Sequence, residues 1–122
     1  GMICGPCIKE FDNNAALKNR FKNENLAFMY MASPYGRIDD EFRWKRMIQD
    51  KQLSGYHIFM TNELYYDFWS TIKDSISTMY QIPHYMILGQ NGKIFKVDAA
   101  RPSSKAKLYG QIELALSRVA AR

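Results

Sequence analysis

The sequence feature that most constrains the fold is a pair of cysteines three positions apart, Cys4 and Cys7, which enclose Gly5 and Pro6. Apolar residues at helical spacing follow the motif, so the cysteines are predicted to open a helix. Backbone N–H groups at such a position favour negative charge, and a thiol there loses its proton more easily than a free thiol. Gly5 permits the tight turn, and Pro6 suits the first helical turn. The second cysteine lies one turn on, close enough to close a disulfide with the first, so the spacing predicts redox chemistry at the two thiols.

Two other uses of the cysteine pair stay open. A zinc site needs two further ligands, and only His57 and His84 are available, each isolated from the other and from the cysteines. A structural disulfide across so short a loop would constrain the unfolded chain little. The Gly-Pro filling and the following helix favour redox use over both, so we expect no metal site and no cofactor.

Composition limits the chain to a single globular domain. It has 122 residues, 47% of them hydrophobic, and a formal net charge of +5. Lys18, Arg20 and Lys22 alternate with neutral residues, and a second basic group at 43–46 shares its helix with acidic residues, so no nucleic-acid surface is expected. No run has membrane-spanning length and no signal peptide is recognised, while Gly1 before Met2 is interpreted as the remnant of a cleaved tag.

Apolar periodicity predicts alternating helices and strands. The predicted helices are Ile8–Glu24, a helix capped by Asp39 or Asp40 and reaching Leu53, a helix capped by Asn62 and reaching Ile76, and a last helix capped by Ser103 or Ser104 whose buried side is Leu108, Ile112, Leu116 and Val119. The predicted strands are Leu26–Ala32, Tyr56–Met60, His84–Leu88 and Lys93–Val97, the last two joined by an Asn-Gly turn. Tyr65, Tyr66 and Trp69 are assigned to packing. This order favours parallel pairing in the first half and a mixed sheet overall.

With the motif and the element order established, the chain resembles the thioredoxin superfamily, and more narrowly the TlpA/ResA-like thiol-disulfide oxidoreductases of the bacterial cell envelope. Cys4-Gly5-Pro6-Cys7 matches the family's active-site tetrapeptide. Ile82-Pro83-His84-Tyr85-Met86-Ile87-Leu88 matches its Ile-Pro segment, with Gly92-Lys93-Ile94 as the following hairpin. The segment from Asp98 to Ser104 resembles the entry to the last helix of many members.

This resemblance implies an α/β, thioredoxin-like fold with a mixed sheet flanked by helices. Cys4 would be the attacking thiolate and Cys7 the resolving cysteine, with Gly5 and Pro6 in support. Pro83 would follow a cis peptide bond, and the backbone of Ile82 would pair with a substrate peptide as an added strand. The partners would be protein thiol or disulfide substrates and a reducing partner, in the periplasm or cell envelope. A redox-inactive thioredoxin-like binding module is the alternative, and His84 is interpreted as structural.

The family carries a central strand directly before its cysteine motif, where this sequence has only Gly1, Met2 and Ile3. The resemblance therefore implies that residues 1–122 form a single, N-terminally truncated thioredoxin-like domain. The absent strand would lie between Leu26–Ala32 and His84–Leu88. Its absence would leave backbone N–H and C=O groups unpaired in an apolar interior. Direct pairing of the two flanking strands would satisfy these groups but would crowd the helices, which are spaced for a wider sheet. We therefore expect a second copy of the chain to cover them, most simply in a two-fold dimer.

Overall fold

The computed structural model describes residues 4–34 and 40–120, apart from the side chains of Val119 and Ala120. It is a mixed α/β structure. Its helices are α1 (Gly5–Phe11), α2 (Asn14–Arg20), α3 (Asp40–Asp50), α4 (Asn62–Ile72) and α5 (Ala106–Ala120), and its strands are β1 (Met29–Ala32), β2 (Tyr56–Phe59), β3 (Ile87–Leu88) and β4 (Ile94–Lys96). Short 3-10 turns follow at Lys73–Ser75 and Pro102–Ser104.

The single first helix predicted over Ile8–Glu24 is wrong, because the structure has two short helices there. The first begins at Gly5 and ends at Phe11, and the second begins at Asn14. Between them the amide of Asn13 bonds to the carbonyl of Glu10 at 3.0 Å, which is the tighter spacing of a turn. Asp and Asn side chains compete with the backbone for hydrogen bonds, so the Asp-Asn-Asn run interrupts the helix.

The strands form two separate pairs. β1 and β2 are parallel, in register from Met29 opposite Tyr56 to Ala32 opposite Phe59. β3 and β4 form the predicted antiparallel hairpin. Among the described residues no ladder joins one pair to the other, so two two-stranded sheets stand where one mixed sheet was expected. Parallel pairing in the first half and the hairpin in the second are confirmed, and no described segment supplies a strand between them.

The hairpin turn depends on its Asn-Gly pair. The amide of Gly89 donates to the carbonyl of Lys93 at 2.8 Å, and the side-chain oxygen of Asn91 accepts from the Lys93 amide at 3.0 Å. Gly92 has a φ of +81°, a conformation that glycine adopts without the steric cost that other residues incur. The ladder is shorter than predicted, since the carbonyl of Tyr85 already bonds to the amide of Ala99 outside the hairpin.

Two predicted helix caps are also wrong. The cap of α4 is Thr61, whose hydroxyl accepts the Leu64 amide at 3.1 Å while its backbone is still extended; Asn62 is already helical. Ser103 and Ser104 lie in the 3-10 turn before α5 and do not cap it. For α3, Asp40 is the first helical residue and is buried, whereas Asp39 is not among the described residues.

The core lies where α2, the β3–β4 hairpin and α5 meet. Its buried members are Leu17, Phe21, Ile87, Ala99, Leu108 and Ile112. Phe28, directly before β1, and Phe95 of β4 pack against this cluster. Trp69 of α4 is 2% exposed and contacts the rings of His84 and Tyr80, which confirms its assignment to packing.

Strand alternation gives each pair a second face, directed away from this core. We call it the outward face and define it by Met29, Met31, Leu88 and Ile94, all of which are exposed. Leu88 and Ile94 are cross-strand neighbours in the hairpin. The outward face is therefore apolar on both pairs, and no described helix buries it.

Candidate functional site

Cys4 and Cys7 are joined in a disulfide at the start of α1, with their Cα atoms 5.3 Å apart. Cys4 occupies the position before the helix in an extended conformation, and its sulfur accepts the backbone N–H of Cys7 at 3.2 Å. Pro6 lies in the first turn of α1, where a backbone N–H has no partner within the helix, so the N–H that proline lacks costs no hydrogen bond. The predictions that the motif opens a helix and that its thiols reach each other are confirmed.

Solvent reaches the disulfide. Both cysteines are half-buried, and Gly5 and Pro6 between them are exposed. In the reduced protein, the N–H of Cys7 would stabilise a negative charge on the sulfur of Cys4, since a donor to the charged form favours that form. The arrangement is suited to a thiolate that another molecule can approach.

The buried residue of α1 is an acid, Glu10, which is 7% exposed. One carboxylate oxygen accepts the backbone N–H of Ser103 at 2.9 Å, and the other accepts the Ser103 hydroxyl at 2.7 Å. These bonds offset the cost of burying the carboxylate and attach the cysteine helix to the 3-10 turn Pro102–Ser104. Sequence reasoning missed Glu10, although its place one turn after Cys7 was available as a signal.

The Ile82–Pro83 peptide bond is cis, which confirms that prediction. Ile82 and Pro83 are both half-buried. Pro83 lines a cavity of about 130 Å³ together with His84, Tyr85 and Arg101. The predicted peptide-pairing role of Ile82 is a matter of substrate binding and stays a prediction.

A second, more open cleft lies beside the cysteine motif. It is lined by Pro6, Lys9, Glu10, Asn13, Arg101 and Ser103. Arg101 lines both this cleft and the cavity at Pro83. Arg101, which sequence reasoning had placed only in the entry to the last helix, thus lines a cavity that contains Pro83 and a cleft that contains Pro6 of the cysteine motif.

Tyr85 connects the same groups electrostatically. Burial raises the pKa of the Tyr85 phenol, the Glu10 carboxylate raises it further, and the Arg101 guanidinium lowers it. A smaller contribution from Tyr30 raises it. The Tyr85 phenol is thus neutral across the physiological pH range.

The histidines serve other parts of the fold. The Nε2 of His84 donates to the carbonyl of Val97 at 2.8 Å, and its ring meets Phe68 and Trp69 edge-on, which supports its structural interpretation. The Nε2 of His57 donates to the carbonyl of Leu53, and its ring stacks on Tyr30. In the part of the chain that the structure describes, no three His, Cys, Asp or Glu side chains are grouped as metal ligands would be.

No family model, no curated protein and no solved structure matches this chain. None of the helices in the described ranges combines the length and apolar character needed to cross a membrane.

Proposed function

We propose that this chain is a thioredoxin-like thiol-disulfide oxidoreductase that reduces disulfides of proteins in the bacterial periplasm or cell envelope. The observation that carries the proposal is the solvent-accessible Cys4–Cys7 disulfide, with the Cys7 amide directed at the Cys4 sulfur. The family resemblance of the two motifs supplies the cellular compartment and the direction of electron flow.

In the proposed reaction, the Cys4 thiolate of the reduced protein attacks one sulfur of a substrate disulfide. A bond forms between Cys4 and that sulfur, and the other substrate sulfur leaves with the bonding electrons and takes up a proton. The Cys7 thiolate then attacks Cys4, closes the internal disulfide and releases the first substrate sulfur as a thiolate. The substrate gains two electrons, which the protein dithiol loses. A dithiol reductant of a partner protein restores the reduced state.

The roles of Ile82, Gly5 and Pro6 follow from the resemblance, and that of Glu10 from its hydrogen bonds. The backbone of Ile82, beside Pro83, would bind the substrate peptide as an added strand. Gly5 and Pro6 would shape the turn that presents Cys4. Glu10 is a positioning residue, because its two bonds to Ser103 hold the cysteine helix against the 3-10 turn that carries Arg101 into both cavities.

We further propose that a second copy of the chain covers the outward face. The exposed apolar side chains Met29, Met31, Leu88 and Ile94 lie on both strand pairs. Within the described residues, β1 and β3 each pair with one strand, so each also presents an edge with unpaired backbone groups. A two-fold dimer would bury the face against its own copy.

Two thiol measurements test the proposed chemistry. In the reduced protein, a short pulse of iodoacetamide followed by mass spectrometry should label Cys4 about tenfold faster than Cys7, because only Cys4 is placed to receive a backbone N–H at its sulfur. Cys7→Ser should accumulate a mixed disulfide between Cys4 and a disulfide-bridged peptide. Cys4→Ser is the matched control and should accumulate none.

Faster labelling of Cys7, or no mixed disulfide with Cys7→Ser, would remove the support for an oxidoreductase. Retained binding of the bridged peptide under those conditions would favour the redox-inactive binding module.

A further inference from the structure

Arg101 has an unusual place in this molecule. It lines both the cleft beside Pro6 and the cavity beside Pro83. Within the described residues its guanidinium makes no ion pair or side-chain hydrogen bond, whereas Arg20 pairs with Glu113 and Arg46 pairs with Asp50. A guanidinium offers five donors in a planar fork suited to a carboxylate, and this one has its donors available.

The charges of the cleft beside the cysteine motif favour an anion. Its cations are Lys9 and Arg101. The acid of the cleft, Glu10, directs both oxygens to Ser103 and is thus engaged within the protein. Asp98 lines the cavity at Pro83 but not this cleft. A carboxylate would therefore be attracted to the cysteine side of Arg101.

The cleft also has room for a ligand. Its volume of about 580 Å³ falls within the roughly 300–1,000 Å³ of small-molecule sites. Because Pro6 forms part of its wall, a molecule held there lies beside the turn between the two cysteines.

We propose that Arg101, with Lys9, forms a carboxylate subsite that selects disulfide substrates bearing an acidic group close to the reacting sulfur. The inference rests on the proposed function, since it specifies which disulfides the cysteine pair reduces. The carboxylate stays bound to Arg101 while Cys4 attacks the neighbouring sulfur, so the acidic group raises the rate by orienting the substrate. The same chemistry occurs in a small disulfide such as oxidised glutathione and in a protein segment with Glu or Asp beside its cysteine.

The test measures single-turnover oxidation of the reduced protein by two small disulfides, oxidised glutathione and the neutral 2-hydroxyethyl disulfide. Each disulfide is compared between the unmodified protein and Arg101→Gln, so its own reactivity cancels in the ratio. We expect Arg101→Gln to slow oxidation by glutathione disulfide about fivefold and to change the neutral reaction less than twofold. Lys107→Gln removes an exposed cation from α5 and should leave both ratios near one.

Two disulfide-bridged peptides that differ only in having Glu or Gln beside the cysteine distinguish protein substrates from small disulfides as the source of the carboxylate. Selective slowing with the Glu peptide alone assigns the subsite to protein substrates, and slowing with glutathione disulfide alone assigns it to small disulfides. If Arg101→Gln slows the reactions with acidic and neutral disulfides equally in every pair, the carboxylate subsite is overturned while the proposed oxidoreductase activity stands. If the unmodified protein is oxidised by none of them, both proposals fail.

A measurement on the unmodified protein adds an independent check. Because the attraction is between charges at an exposed site, raising the salt from 0.02 to 0.5 M should slow the glutathione reaction severalfold and leave the neutral reaction unchanged. Identical salt dependence of the two reactions would contradict the subsite.

Discussion

The two faces of the strand pairs differ in what covers them. On the inward side, Ile87 is 9% exposed and belongs to the core, and Phe28 packs against the same cluster. On the outward side, the adjacent residues Leu88 and Met29 are 53% and 56% exposed. The side chains are equally apolar on both sides, so hydrophobicity does not distinguish the two faces.

The comparison shows that apolar character and burial have different causes here. Inward residues are buried because α2 and α5 supply side chains against which they pack. Outward residues have no such helix within the described part of the chain. Neighbouring exposed apolar side chains such as Leu88 and Ile94 commonly mark a contact surface, so the inward face should determine the stability of the monomer and the outward face its association.

The largest expected effect is a difference in stability between alanine substitutions at two neighbouring residues of β3. Ile87→Ala should lower the free energy of unfolding by about 2–4 kcal/mol, because it opens a cavity in the core. Leu88→Ala should lower it by less than about 1 kcal/mol, because its side chain is already half in water. Urea unfolding followed by circular dichroism measures both values.

The unfolding experiments should be run at the lowest usable protein concentration, so that association does not contribute to the measured stability. Equal losses for the two variants would mean that the two faces do not differ in packing as described.

The second prediction concerns association. Sedimentation velocity at micromolar concentration should show a dimer, and Leu88→Lys should raise its dissociation constant about tenfold or more by placing a charge in the outward face. Gln49→Lys adds the same charge at an exposed position of α3 and serves as the control. A stable monomer at these concentrations would show that the outward face is not used for a dimer.

The smallest expected effect is a dependence of stability on pH, caused by the partly buried Tyr85 on the inward side. Burial raises the pKa of Tyr85, and Glu10 raises it further, whereas an unfolded tyrosine ionises near pH 10. Below pH 10, the Tyr85 phenol is protonated in both the folded and the unfolded protein, so its ionisation does not change the stability. Above pH 10 the unfolded chain binds fewer protons than the folded one, so stability falls as pH rises.

Tyr85→Phe should therefore reduce the alkaline loss of stability, by on the order of 1 kcal/mol per pH unit above 10. Urea unfolding between pH 8 and 11 measures the slope. Tyr56→Phe removes an exposed phenol from β2 and should retain the steeper slope of the unmodified protein. Parallel slopes for all three proteins would contradict the assignment.

Local sequence signals located much of the candidate site. The cysteine spacing predicted a helix opening and a closed disulfide, and both are present. The Asn-Gly pair correctly predicted the hairpin between β3 and β4. These features depend on a few adjacent residues whose backbone preferences act without help from the rest of the chain.

Other features depended on competition or on distant contacts. Asp12 and Asn13 interrupt a helix whose apolar spacing continues through them, and Thr61 caps α4 ahead of the equally suitable Asn62. In the sequence Glu10 looks like a surface residue, but the backbone N–H and the hydroxyl of Ser103, 93 positions later, donate to its carboxylate and allow its burial. Apolar periodicity cannot identify such a residue, because its burial is set by the bonds that compensate its charge.

Local signals in the sequence were enough to predict most of the helices, the parallel strand pair, the hairpin and the cysteine pair that opens α1, because propensity, turn chemistry and cysteine spacing act over a few adjacent residues. The sequence did not indicate that Arg101 lines both the cleft beside Pro6 and the cavity beside Pro83, or that one apolar face of the strands is packed while the other is exposed. Those outcomes depend on which elements meet in space. Burial is a property of neighbours, and the neighbours of Ile87 and Leu88 differ although the two residues adjoin in the chain.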